Sequence, residues 1–265
     1  AASSSFVRVS SEMPFFPGAQ WVIDYVRSGA AGRLISVRSG FLHSSDLDVD
    51  KPINWKRQAQ FCGTAGVMND LGMHAWHVPL RLGWMPSRLT AQLQDLVPTR
   101  MDAAGQPTVC DTWENAAIHA DVLASDGASS GDFLLDVRCE RVAPGNKNTW
   151  YLEVVGMDGG VRFSTAQPSR VEVFASVEVP GVGREQAWQV VETGSQSVWP
   201  TVTGGIFETG FSDAILQMWA AFLAEREGVL GDRFGCATPS EARAAHRIAE
   251  AAALAHESGV RVELS

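Results

Sequence analysis

The sequence predicts an α+β protein built around an antiparallel sheet. From Ser87 to about Glu192, runs rich in β-branched and aromatic residues follow one another, bounded by Gly, Pro, Asn and Asp, with no helical stretch between them. Strands in such unbroken succession pair as antiparallel neighbours, because parallel pairing needs a crossover segment. Helical spacing appears only before and after this region. With 265 residues of which 45% are hydrophobic, the chain has ample material for a sizeable core.

The elements follow in order. P-G-A-Q-W-V-I-D-Y-V-R-S-G, residues 17 to 29, opens with Pro and ends on Gly, as a short helix does. R-L-I-S-V-R-S-G-F-L-H at 33 to 43 reads as a strand, and the polar stretch between Ser44 and Cys62 as an ordered loop. Val67, Leu71, Ala75, Val78 and Leu82 recur at intervals of four, four, three and four, which lines one face of a helix; Gly83 is its natural stop. Strands are expected at 88–96, 113–123, 132–142, 150–155, 161–164, 171–177 and 187–192, with G-M-D-G-G at 156–160 turning a hairpin. Two helices close the chain. Ser212 can cap the first, which ends at Gly228, and T-P-S-E at 238–241 gives the second an N-cap, a Pro and a capping-box Glu. V-R-V-E-L near the end can add a terminal strand. The expected organisation is a disordered or tag-like tail at 1–5 and one domain over 6–265.

A formal charge of -9 and the absence of any Lys/Arg run argue against nucleic acid and anionic membrane as partners. No apolar run approaches the roughly 20 residues that span a bilayer, and A-A-S-S-S-F lacks the regions of a signal peptide. A soluble, cytoplasmic protein is expected. Cys62, Cys110, Cys139 and Cys236 lie far apart, which favours reduced thiols over a disulfide framework.

N-D-L-G-M-H-A-W-H, residues 69 to 77, holds one carboxylate and two of the six histidines. At 100 degrees per residue, Asp70, His74 and His77 fall within about 60 degrees of one another on a helix. The polar stripe borders the apolar one, so the imidazoles sit where desolvation can tune them, a plausible site for acid/base chemistry. A hydrogen-bonded structural histidine, or a surface Asp–His pair one turn apart, explains the same spacing. Three zinc ligands are a weaker rival, because the spacing is not H-E-x-x-H and no fourth ligand is signalled nearby. No metal is assigned.

The pattern G-x-x-x-D-L-G-x-H from Gly66 to His74, preceded by N-W-K-R at 54–57, resembles the Gfo/Idh/MocA oxidoreductases, which include glucose-fructose oxidoreductase and inositol dehydrogenase. The resemblance extends over nearly the whole chain: residues 14–37 resemble the first helix and strand after that family's nucleotide domain, and C-A-T-P-S-E-A-R-A-A-H-R-I-A-E-A-A its closing helix. It implies a large open, mainly antiparallel sheet with helices packed on one face, like the C-terminal domain of glucose-fructose oxidoreductase. It also implies NAD or NADP as cofactor and a sugar, inositol or related polyol as substrate. Carried over, Asp70 contacts or orients the substrate and His74 exchanges the hydroxyl proton as hydride moves. Trp55, Lys56 and Arg57 match the segment leading into the site, where a cation can grip hydroxyls or a carboxylate; a buried Trp55 with two solvated cations is the alternative. His77 stands where many relatives carry Asp, and either binds substrate or packs.

The family's Rossmann domain has no counterpart here. No strand runs into G-x-G-x-x-G, and the glycine pairs at 159–160 and 204–205 read as turns. D-K-P at 50–52 is a poor match to the family's E-K-P, so Lys51 reads as a solvated loop residue. The expected protein is therefore a substrate-binding and oligomerisation domain, inactive without a nucleotide-binding domain. Rival readings are a non-catalytic sugar-binding or assembly module and a metal-dependent hydrolase or lyase. His43, at a strand end near S-S-D, reads as a turn residue that can reach the cleft. W-P-T-V-T-G-G-I-F-E-T-G-F at 199–211 can approach substrate or simply turn. Nine tryptophans suggest an apolar second sheet face covered in a homo-oligomer, as in relatives.

Overall fold

The computed structural model describes residues 5–123 and 131–264. The tail expected at 1–5 thus lies, but for Ser5, outside the described residues. The helices are α1 (Pro17–Arg27), α2 (Ala59–Cys62), α3 (Val67–Arg81), α4 (Phe211–Arg226) and α5 (Pro239–Ser258). The strands are β1 (Leu34–Leu42), β2 (Arg88–Gln94), β3 (Thr99–Met101), β4 (Pro107–Val109), β5 (Asn115–Val122), β6 (Phe133–Glu140), β7 (Thr149–Gly156), β8 (Gly160–Ser164), β9 (Arg170–Val179), β10 (Gly183–Glu192) and β11 (Val262–Glu263). Nine of them form one sheet in the order β10-β9-β8-β7-β1-β6-β5-β2-β11, and β3 with β4 makes a separate hairpin. The result is a mixed fold with a large, mostly antiparallel sheet and helices.

β1 departs from simple succession. It lies between β7 and β6, antiparallel to the first and parallel to the second, so that Val37 faces Val154 on one side and Leu135 on the other. Residues 43–132 supply the long connection that a parallel pair requires. The sheet alternates cleanly: Phe133, Leu135, Val137 and Cys139 of β6 are buried while Leu134 and Arg138 are exposed. The buried face carries the helices. α3 lies across β1 and β6, α5 packs on β2 and α3, and α1 covers β8. Trp76 and Trp150 are enclosed there, each contributing roughly 2–3 kcal/mol of apolar burial. All four cysteines are free thiols. Among the described residues, no helix is long and apolar enough to cross a membrane.

The open face differs from the apolar surface that the tryptophan count suggested. Trp76, Trp84 and Trp150 are spent on the helical side. Across the middle of the open face runs a row of alternating charge, Glu172, Arg162, Glu153, Arg38 and Asp136, each residue opposite the next on adjoining strands, with the His119 imidazole opposite Asp136 at its end. Opposite charges in such cross-strand positions support one another.

Several local details depart from expectation. Trp55–Arg57 forms a 3₁₀ turn and Ala59–Cys62 a single helical turn inside the segment read as loop. The hairpin β3–β4 is too short and polar to show a strand pattern. α4 starts at Phe211, not after a Ser212 cap: the backbone N–H of Gly210 donates to Asp213 Oδ2 at 2.9 Å. α5 follows its signal, with Thr238 Oγ1 accepting from the Glu241 N–H and Glu241 Oε2 accepting from that of Thr238.

Candidate active site

α3 is held at both ends by features of its own sequence. At its start Gly66 has φ +53°, and a Cβ there would stand 2.7 Å from the backbone nitrogen and oxygen of Trp113. Only glycine lets the chain pass so close, with the Val67 N–H donating to the Trp113 carbonyl at 3.0 Å. Near its end Pro79 has no N–H for the carbonyl of Ala75, four residues back. Ser39 Oγ of β1 donates to that carbonyl instead, at 2.8 Å, while Trp150 Nε1 of β7 donates to the carbonyl of His74, also at 2.8 Å. The backbone at His74 is thereby fixed to the sheet.

One turn earlier, Asp70 gathers two cations on one oxygen. Lys56 Nζ donates to Oδ2 at 3.0 Å, and Arg141 approaches it with Nε at 3.2 Å and Nη2 at 2.8 Å. Burial alone would raise the Asp70 carboxyl, but Arg141 and Lys56 outweigh it and hold it below the ordinary carboxylate range. Arg141 is 2% exposed and also donates from Nη1 to the Lys56 carbonyl at 3.1 Å, which ties the 55–57 turn to α3. Lys56 remains 39% exposed, so the cation closest to solvent is the one able to meet a ligand.

His74 lies beside this pair, 20% exposed, with its ring set edge-on against Phe41 at 5.1 Å. Burial pushes its pKa below the ordinary value, against the opposing pull of Glu12 and Asp70, while Lys56 adds to the lowering. Its Nδ1 is enclosed without a hydrogen-bond partner, and Glu12 Oε2 stands 3.9 Å away. The imidazole is therefore neutral near pH 7 and can take a proton. His43 also packs edge-on against Phe41, at 4.7 Å, its pKa lowered by burial and then by Lys56.

The sequence placed six residues in this site, and the structure brings four of them together: Asp70, His74, Lys56 and Trp55, whose exposed ring lies 5.6 Å from Lys56 Nζ. Arg57 is fully buried, correcting its assignment to substrate contact. Its Nη1 donates to the Thr112 carbonyl at 2.7 Å, and Nη2 lies 3.4 Å from the equally buried Glu114. It anchors the turn from beneath. His77 is likewise corrected: it is fully buried, its ring tilted 50° against that of Phe234 at 4.9 Å, because its position on α3 belongs to the apolar stripe. Burial, with Arg81 nearby, pushes its pKa down to about 3. Asp70, His74 and His77 do not converge, and among the described residues no three His, Cys, Asp or Glu side chains are placed to hold a metal ion. Lys51 donates to Asp46 Oδ1 and the Ser45 carbonyl within the loop, and the 199–211 segment is tied to α4 through Trp199 and Gln217.

Sequence reasoning missed Arg141 and Glu12. Arg141 had a signal: it continues the inward series Leu135, Val137, Cys139 of β6, and a cation on a helix-covered face needs a carboxylate. Glu12 had less, being a single acid before the buried Met13, Pro14, Phe15 and Phe16.

No protein-family model matches the chain. The levoglucosan dehydrogenase of Pseudarthrobacter phenanthrenivorans is 25% identical over 218 residues, covering 77% of this chain and 54% of the relative. A solved levoglucosan dehydrogenase in complex with NADH and levoglucosan superposes with a TM-score of 0.75 at 19% identity, over 96% of this chain and 65% of that one. An inositol dehydrogenase homologue from Azotobacter vinelandii, complexed with NAD+, gives a TM-score of 0.72 at 16% identity, over 97% and 64%. The chain thus spans about half the length of the curated relative and about two thirds of the solved ones. These likenesses show the fold, and the names agree in kind with the resemblance carried by Gly66 to His74.

Proposed function

We propose that this chain supplies the substrate side of an NAD(P)-dependent oxidoreductase acting on a sugar, inositol or related polyol. The observation that carries the reading is the neutral, partly enclosed His74 next to an ionised Asp70 that two cations hold in place. Loss of hydride from a carbinol carbon requires loss of the hydroxyl proton, and an imidazole left unprotonated near pH 7 can accept it. Lys56, tethered through Asp70 and still accessible, donates to a substrate oxygen, and Trp55 offers a flat apolar face to a sugar ring. The levoglucosan and inositol dehydrogenase names of the neighbours support a polyhydroxylated substrate.

The chemistry that a nicotinamide dinucleotide would supply is hydride uptake or delivery. The described residues do not fit its phosphates: Gly159 and Gly160 lie at the β7–β8 turn and Gly204 and Gly205 in a 3₁₀ turn, with no strand feeding a glycine-rich helix start. The dinucleotide is assigned to a domain outside this chain, and the chain alone is inactive. The open face of the sheet, with its alternating charges, is proposed as the surface of a homo-oligomer, since a reversed copy of the row set one position out of register opposes unlike charges along it. Light scattering at micromolar concentration tests that point, and a monomer ends it.

The deciding experiment uses the natural gene product, assayed with NAD+ and NADP+ against levoglucosan and inositol. Nicotinamide reduction is expected, falling by at least about a hundredfold in His74→Ala. Unchanged turnover in that variant removes His74 from the chemistry. Sugar binding with no reduction of either nucleotide would favour a binding module.

A further inference from the structure

His74 needs a partner that decides which ring nitrogen carries the proton. Asp70, one turn away, is engaged through Oδ2 with Lys56 and Arg141. Among the described residues, Glu12 is the carboxylate within 4 Å of a His74 nitrogen, its Oε2 facing an Nδ1 that is fully enclosed and has no hydrogen bond. The separation of 3.9 Å exceeds a hydrogen bond, so at this distance Glu12 acts on Nδ1 through its charge. Glu12 cannot drift far. It stands at the start of a 3₁₀ turn whose Met13, Pro14 and Phe15 are all buried, its carbonyl accepts from the Phe15 N–H at 2.9 Å, and Gln20 Nε2 donates to the Pro14 carbonyl.

We propose that Glu12 is the positioning residue for His74: its carboxylate draws the proton to Nδ1, so that Nε2 carries the lone pair on the accessible edge of the ring. This assigns a role 62 residues upstream of the histidine to a segment that otherwise serves as packing. The consequence for turnover rests on the oxidoreductase reading above; the tautomer does not. In the proton step, the hydroxyl proton passes to Nε2, giving an imidazolium whose Nδ1–H faces the Glu12 carboxylate, and the return transfer restores the neutral ring. The charge formed is met by Glu12 and by Asp70, and opposed by Lys56; the other titratable groups facing the ring are His77 on α3 and His43 beyond β1, with Arg141 behind Asp70.

The test is nitrogen NMR of the imidazoles in the chain itself, titrated with pH, for the native protein, Glu12→Gln and Glu12→Ala, with His119 and His256, which lie outside this cluster, as internal controls. In the native protein His74 is expected as the Nδ1–H tautomer. Glu12→Gln keeps an oxygen acceptor, so the tautomer persists while the His74 midpoint falls with loss of the negative charge. Glu12→Ala loses both, and the Nε2–H form becomes prominent. A native Nε2–H tautomer, or a His74 midpoint unmoved in Glu12→Gln, overturns the proposal. Should Glu12→Ala fail to fold, these two observations still decide it. No substrate or nucleotide is present in this measurement, so failure of the oxidoreductase reading would leave its outcome intact, and the reverse holds for the turnover assay.

Discussion

Replacing His77 by Leu should flatten the acid limb of this protein's stability curve. His77 is fully buried against Phe234, and its pKa is pushed down to about 3 from an ordinary value near 6.5. The folded chain therefore refuses a proton that the unfolded chain accepts, so stability is intact above about pH 6.5 and declines as pH falls towards 3. Each pH unit in that window costs about 1.4 kcal/mol, which gives about 2 kcal/mol near pH 5. Urea unfolding followed by tryptophan fluorescence, near pH 7.5 and near pH 5, measures the loss in both proteins. Asp70, Glu241 and Glu172, whose carboxyls are held below their ordinary range, also withdraw stability as pH falls, but both proteins share those losses. The offset from exchanging the side chain cancels when each protein is compared with itself. The native chain should lose about 2 kcal/mol more than the variant over the interval. An equal loss in both would mean that His77 titrates normally and is open to water, and would return it to the candidate substrate contacts.

Other variants probe the supports of the site. Glu114 accepts from the Leu96 and Val97 N–H groups and faces Arg57 and Arg100 with no exposure, so Glu114→Ala should cost about 3–5 kcal/mol in urea unfolding; a loss under 1 kcal/mol would contradict the buried cluster. Ser39→Ala leaves the Ala75 carbonyl without its donor at the Pro79 break and should cost about 1–3 kcal/mol, seen as a lower unfolding midpoint, whereas an unchanged midpoint would show that another donor fills the gap. Gly66→Ala forces a Cβ against the Trp113 backbone at positive φ, and a cost of at least about 1–3 kcal/mol is expected; a neutral variant would refute the close approach.

The elements with strong local periodicity were legible. The four, four, three, four spacing from Val67 to Leu82 became α3, T-P-S-E opened α5 with its reciprocal cap, and G-M-D-G-G turned β7 into β8. What local pattern could not carry was the place of β1. A strand between one parallel and one antiparallel neighbour has the same buried alternation as any other, and its pairing with β6, some hundred residues later, is decided by which face the helices cover. The charge row was hidden for the same reason, since Arg38, Glu153 and Arg162 meet only after the strands are ordered. A count of tryptophans carries no information about which face they occupy.

The site shows how a helical wheel misleads at its edge. Asp70, His74 and His77 share one stripe when drawn on an isolated helix, yet α3 meets the sheet on one side and α5 on another, and the boundary between accessible and enclosed passes between His74 and His77. Strand parity would have refined the picture. On β1, Val37, Ser39, Phe41 and, beyond its end, His43 point towards the helices; on β6 and beyond, Val137, Cys139 and Arg141 do the same. Because β1 and β6 are parallel, their C-terminal ends lie side by side, and the polar residues that break the two inward series, His43 and Arg141, arrive at one edge of the core. α3 crosses that edge with Asp70 and His74. A buried arginine there demands a carboxylate, Asp70 meets the demand, and His74 is left for a different acid to orient. The combination of strand parity with one parallel pairing thus predicts where the ionisable groups gather, and it leaves Glu12, delivered by a turn with no periodicity, as the member that only the folded chain reveals.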